Sequence, residues 1–210
     1  MAMYTLYGTK TSGAAAVEAA LALLDVPYKV VDAAAWEPGA GLDELKRINP
    51  LAQIPTLVLP DGSVMTESAA ILIHLGLAYP HSGLLPTDLS DQAQAIRGLV
   101  YIAANCYAAI GVIDYPERWV AQADEDTLAA IKLGSRQRLH LLWDTFADTW
   151  PAAPFLNGPT PGALDFLAVV VSKWSGTRAH LQESRPAFSD LLARIEIHPC
   201  FAEVQARYWP

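Results

Sequence analysis

An α/β unit followed by an all-helical unit is the fold class that this sequence predicts. Three observations carry it. Residues 1–78 alternate short β-prone runs with helical ones, Tyr79 to Asp88 is broken by Pro80, Gly83 and Pro86, and the segments beyond that break are helical in character. The expected division is residues 1–80 and residues 88–210, each of a size that supports its own core.

Tyr4 to Tyr7 reads as a short strand, stopped by Gly8 and the polar loop from Thr9 to Gly13. Ala14 to Leu24 is dense in strong helix formers and ends at Asp25-Val26-Pro27. Tyr28 to Val31 is the second strand. A strand, a helix and a strand spaced in this way form a βαβ unit with parallel neighbours. Leu42 to Ile48 makes a short helix. Thr56 to Leu59 and Ser63 to Met65 flank Pro60-Asp61-Gly62, the signal of a hairpin between antiparallel strands. A helix follows from about Glu67 to Ala78. This order is the thioredoxin-like arrangement without its dithiol. In the second unit, Ser90 to Ile113 and Glu125 to Trp150 are long enough to be the main helices of a bundle. Pro151 to Gly162 is a proline-rich loop, and Ala163 to Ser175, Pro186 to Ile195 and Pro199 to Arg207 supply shorter helices.

Composition narrows the partners. Acidic residues (22) outnumber basic ones (14), and no Lys/Arg cluster exceeds a pair, so nucleic acid is not the expected partner. Apolar residues make up 52% of the chain, which leaves room for an interface between copies. Neither a basic leader nor an apolar stretch of membrane-spanning length stands out, so the expectation is a cytoplasmic protein with no membrane partner. Cys106 and Cys200 form no CxxC pair and read as buried apolar residues. The histidines show no metal spacing, and no metal site is expected.

The run Asn49-Pro50-Leu51-Ala52-Gln53-Ile54-Pro55-Thr56, with Thr66-Glu67-Ser68-Ala69 after the hairpin, sets a proline turn before one strand and a polar helix start after another. That arrangement can display backbone groups and short side chains to a small peptide-like ligand. Thr66, Glu67 or Ser68 can each cap the helix, and the same helix end can attract a ligand carboxylate. Ser12 lies where the first strand's loop opens the first helix, as a cap or as a hydroxyl donor to an anionic atom. Thr11 exchanges roles with it if the loop shifts by one residue. Tyr7 lies within the strand, where alternation makes a packed residue of it.

With Tyr4-Thr5-Leu6-Tyr7 and Thr11-Ser12-Gly13, these motifs resemble the cytosolic glutathione transferase superfamily, a thioredoxin-like domain followed by a helical bundle. The resemblance covers essentially the whole chain, is strongest from Tyr4 to Leu75, and is closer to bacterial serine-type members. It implies glutathione as co-substrate, a homodimer, and a detoxifying glutathione S-transferase whose thiolate attacks a small hydrophobic electrophile. The first domain would bind glutathione and the second would line the electrophile's cleft. The resemblance also implies a cis bond at Pro55, although a plain turn proline fits the residues too. Ile54 would pair its backbone with the cysteinyl unit, Ser68 would hold the γ-glutamyl carboxylate and Glu67 the ammonium group. Gln53 would reach the glycyl end, and Lys10 would supply positive charge unless it is simply solvated. Ser12, with Thr11 as its competitor, would donate to the sulfur. Asn105, Tyr107, Tyr115 and Trp119 would face the second substrate unless they pack against the next long helix. A disulfide reductase, a peroxidase, a binder without turnover and a scaffolding dimer remain alternatives. The missing loop cysteine argues against the cysteine-type relatives, and the missing Ser-Ser-Cys run against the maleylacetoacetate isomerases. Relatives carry Ser or Thr three residues before Asp165; here Gly162 stands there, and Asp165 is expected to brace the loop through the Gly162 N–H.

Overall fold

The structure, a computed structural model, describes residues 3–34 and 36–210. Strand β1 (Tyr4–Gly8) leads through helix α1 (Ala14–Leu23) to β2 (Tyr28–Asp32), then to α2 (Ala40–Ile48), β3 (Thr56–Val58), β4 (Val64–Met65) and α3 (Ser68–Ala78). The sheet order is β2-β1-β3-β4, with β1 parallel to β2 and β3 antiparallel to both β1 and β4. This is the expected α/β arrangement. The hairpin turn puts Gly62 at φ 87°, where glycine has no Cβ penalty, and Asp61 Oδ1 accepts from the Ser63 N–H at 2.9 Å.

Helix α1 is apolar all round, which suits a helix buried on every side. Residues Ala14 to Leu21 are buried, and the helix packs on β1, α3 and two helices of the second unit, α7 (Ala163–Val171) and α10 (Pro199–Tyr208). Small alanine side chains permit that close approach. The one acid within it, Glu18, accepts from Arg207 of α10 at 2.7 Å and from the Tyr28 hydroxyl at 3.3 Å. The first helix lacks a basic residue of its own; the far end of the chain supplies one. Helix α2 covers the other face of the sheet, where Tyr7, Ala33, Leu42 and Leu45 form a separate small core. Gly41 lets α2 approach β2: a Cβ there would lie 2.0 Å from the Asp32 carbonyl oxygen, a backbone atom that cannot swing aside. Gly41→Ala is expected to cost about 1–3 kcal/mol, read as a lower urea midpoint.

The second unit begins with one long helix, Leu89–Asp114, in three parts: α4 (Leu89–Tyr101), a π-helical turn (Ile102–Tyr107) and α5 (Ala108–Asp114). It is 26 residues long and holds an 18-residue stretch of mean hydropathy 1.6, long and apolar enough to cross a membrane, contrary to the expectation from sequence. Here it packs on α6 (Glu125–Thr149) and α7 as a bundle helix. Asp88 starts α4 by accepting from the Ser90 and Asp91 N–H groups, and Asp124 caps α6 through the Thr127 N–H. The expected helix from Ala163 to Ser175 stops at Val171. A further helix, α8 (Thr177–Ser184), follows Gly176 at φ 77° before α9 (Pro186–Ile197) and α10. Sequence periodicity missed α8 because it buries only Thr177 and Leu181; packing on α6 and α9 holds it, with His180 and Ser184 both bonded to Asp144.

Asp165 braces the loop before α7 as expected. Fully buried, its carboxylate accepts from the N–H groups of Leu156 (2.9 Å), Asn157 (3.0 Å) and Gly162 (3.1 Å). Burial raises its carboxyl to about 6, with those three bonds pulling the other way.

Candidate functional site

The start of α1 lies against the turn before β3: a Cβ added to Gly13 would lie 3.7 Å from Pro55 Cδ. At α1 the N-cap is Gly13, without a side-chain cap bond and without an acidic residue in the first turn. At α3 the N-cap is Glu67 at φ 63°, again with neither. At α1 the Ala14 N–H meets Ser12 Oγ and the Ala15 and Ala16 N–H groups meet the Ser12 and Gly13 carbonyls, whereas among the described residues no hydrogen bond engages the first-turn N–H groups of α3, which leaves partial positive charge there for an anion. The Ile54–Pro55 bond is cis.

Gln53, Ile54 and Pro55 are held by the turn itself. The Gln53 carbonyl accepts from Asn49 Nδ2 at 3.1 Å and from Thr56 Oγ1 at 2.7 Å, and Asn49 Nδ2 also donates to Thr56 Oγ1. The Gln53 side chain is exposed. Ile54 packs its side chain against the small core under α2, while among the described residues no hydrogen bond engages its N–H or its carbonyl. Such a residue offers both backbone groups to an added strand-like ligand. Ser68, only 5% exposed, likewise has no hydrogen bond to its hydroxyl among the described residues, and Glu67 beside it is exposed.

The first loop separates its two hydroxyls. Ser12 is 5% exposed; its Oγ donates to the Thr9 carbonyl at 2.6 Å and accepts from the Ala14 N–H at 3.3 Å, closing the start of α1. Thr11, at φ 53°, donates its N–H to the Tyr208 carbonyl at 3.1 Å, so the end of α10 holds this loop in place. Thr11 and Lys10 are exposed and line a cavity of about 560 Å³ on the β2 side, together with Trp36, Glu37 and Arg207. Tyr7 is buried in the small core and its hydroxyl donates to Glu44 at 2.5 Å; burial and that neighbour push it up to about 12. It faces α2, away from the start of α1.

The residues expected on the electrophile side scatter. Tyr107 reaches the start of α1: a Cβ added to Gly13 would lie 2.7 Å from the Tyr107 hydroxyl oxygen and 3.7 Å from Pro55 Cδ. Asn105 donates its amide to the Tyr101 carbonyl of its own helix at 3.1 Å. Tyr115 packs under the Arg118 guanidinium, 3.9 Å above the ring, and Trp119 is 65% exposed. Nothing in the sequence distinguished Tyr107 from the other three, because the π-helical turn that sets its direction has no simple sequence signature.

Both cysteines sit where burial disfavours a thiolate. Burial pushes Cys106 up to about 12 and Cys200 to about 11. Among the described residues no group of three His, Cys, Asp or Glu side chains is placed to hold a metal ion. The arrangement leaves the Ile54 backbone groups and the Ser68 hydroxyl without partners among the described residues, chemistry that suits a small peptide-like ligand.

Comparison with known proteins identifies the family. The family model for the glutathione S-transferase N-terminal domain matches residues 14–77. The uncharacterized GST-like protein YncG of Escherichia coli K12 is 37% identical over 206 residues, 98% of each chain. A glutathione transferase homologue from Sulfitobacter, solved with bound glutathione, superposes with a TM-score of 0.84 at 22% identity over 98% of each chain. A glutathione S-transferase from Methylobacterium radiotolerans, solved with glutathione sulfonate, is 26% identical with a TM-score of 0.74, covering 96% of this chain and 94% of that one. With a mixed thioredoxin-like sheet domain, a helical second domain and a full-length relative at this identity, the chain belongs to the glutathione S-transferase family.

Proposed function

We propose that this protein is a serine-type glutathione S-transferase that ionises the thiol of bound glutathione and directs it at a small hydrophobic electrophile. One observation carries the reading: at the cis-Pro55 turn, against which the start of α1 lies, the Ile54 N–H and carbonyl are unpaired among the described residues. In this reading the cysteinyl unit lies along Ile54, with Gln53 near the glycyl end. The γ-glutamyl carboxylate rests on Ser68 and the α3 N–H groups, and Glu67 takes the ammonium group. Lys10 adds positive charge from the other side of the loop. The sulfur lies at the start of α1, where helix polarity favours an anion.

Ser12 completes the site by turning its proton from the Thr9 carbonyl to the sulfur. It gives up a bond worth about 1 kcal/mol and gains a charge-assisted one of about 1.5–3 kcal/mol. Thr11, pinned by Tyr208, is the alternative donor. The thiol proton leaves to solvent, and chemistry then consists of positioning an electrophile against a preformed nucleophile. Tyr107, Asn105, Tyr115 and Trp119 would approach the electrophile from the helical domain. The protein would work in the cytoplasm as a homodimer, and exposed apolar side chains such as Leu77 on α3 and Val100 on α4 favour such pairing.

Calorimetric titration with glutathione and assay of Ser12→Ala on a halide and epoxide panel test the reading. The expected result is binding by both proteins, with kcat/KM of the variant about 10- to 100-fold lower near neutral pH. Absence of glutathione binding by the unmodified protein contradicts it. A variant as active as the parent would take the thiol-activating role away from Ser12.

A further inference from the structure

We propose that the Tyr107 hydroxyl is a second donor to the glutathione sulfur, a catalytic group supplied by the helical domain. The inference rests on glutathione occupying the site described above, and four features carry it.

The first is position. The Tyr107 oxygen hangs over the N-cap of α1: a methyl on Gly13 would approach it to 2.7 Å, and the same methyl would lie 3.7 Å from Pro55 Cδ. One hydroxyl thus overlooks both the helix start and the cis-proline turn. The second is availability. Among the described residues no hydrogen bond engages the Tyr107 hydroxyl, whereas the single Ser12 proton is given to the Thr9 carbonyl at 2.6 Å. Tyr107 therefore has no bond to surrender before it donates.

The third is rigidity. The Tyr107 ring stacks on Trp174 with centroids 5.6 Å apart and planes at 28°, so the oxygen is presented on a fixed arm. The fourth is the backbone. Tyr107 is the last residue of the π-helical turn Ile102–Tyr107, which interrupts a helix otherwise α-helical from Leu89 to Asp114. Turns of this kind concentrate at functional sites, because the wider coil re-aims the side chains that follow. Here the re-aimed side chain is the one that reaches the other domain.

The acidity of the group agrees with a donor. Burial, with the charges of Asp114 and Glu67 behind it, pushes Tyr107 up to about 12, so it keeps its proton at neutral pH and a nearby thiolate would hold it there. It donates without becoming a base. The thiol proton goes to solvent, and Tyr107 ends the step as it began.

Tyr107→Phe tests the proposal, since it removes the oxygen and keeps the ring that stacks on Trp174. Bound glutathione is titrated by its thiolate ultraviolet absorbance in the unmodified protein, Tyr107→Phe and Ser12→Ala, with calorimetric affinity measured alongside. The expected result is a bound-thiol pKa about one unit higher in Tyr107→Phe, kcat/KM about tenfold lower near neutral pH, and glutathione affinity within about threefold of the parent. A variant that titrates with the parent overturns the role of Tyr107 while leaving the glutathione site standing. An unmodified protein that binds no glutathione overturns both.

Discussion

Ser68→Ala is expected to weaken glutathione binding by about 10- to 100-fold, the loss of one hydrogen bond to a charged carboxylate. The same change should leave the fold nearly as stable as before. The Ser68 hydroxyl holds no partner among the described residues, so its removal orphans nothing, and alanine is the better helix former at the first turn of α3. Calorimetric titration reads the affinity and urea unfolding reads the stability. A variant with parental affinity would mean that the carboxylate does not rest on the start of α3.

Asp165→Ala should do the reverse, damaging the fold without touching the ligand. Three buried N–H groups, of Leu156, Asn157 and Gly162, converge on this carboxylate, and alanine would leave all of them without an acceptor. An orphaned buried donor costs about 1–3 kcal/mol, so a loss of about 3–5 kcal/mol is expected after partial relaxation. Asp165→Asn should recover part of it, because one oxygen remains to accept. Chemical unfolding of the three proteins gives the comparison; a loss below about 1 kcal/mol in the alanine variant would contradict the bracing role. Asp165 lies in the first turn of α7, which packs directly on α1.

The legible parts of the sequence were those governed by local chemistry. Pro60-Asp61-Gly62 announced its hairpin because Gly62 alone there takes a positive φ cheaply. The alanine-rich run from Ala14 announced a helix buried on all sides, and Asp165 announced its bond to Gly162. The rest depends on tertiary contact. The loop Thr9–Gly13 named Ser12, with Thr11 as its competitor; only the fold turns Ser12 toward Thr9 and leaves Thr11 beside the cavity, tied to Tyr208. Arg207 reaching Glu18 across the whole chain has no local signature. Helix α8 carries too few buried residues to show a period. The π-helical turn is the sharpest case: Ile102–Tyr107 reads as ordinary helix, yet one altered turn decides that Tyr107 meets Gly13.

Titrating the sulfur of bound glutathione against pH, by its thiolate absorbance in the unmodified protein, tests the central claim most directly. A free thiol ionises near 8.5; the account predicts that the bound one is half ionised about one to two units lower, held by the α1 helix end and its hydroxyls. A bound tripeptide that titrates where the free one does would contradict it.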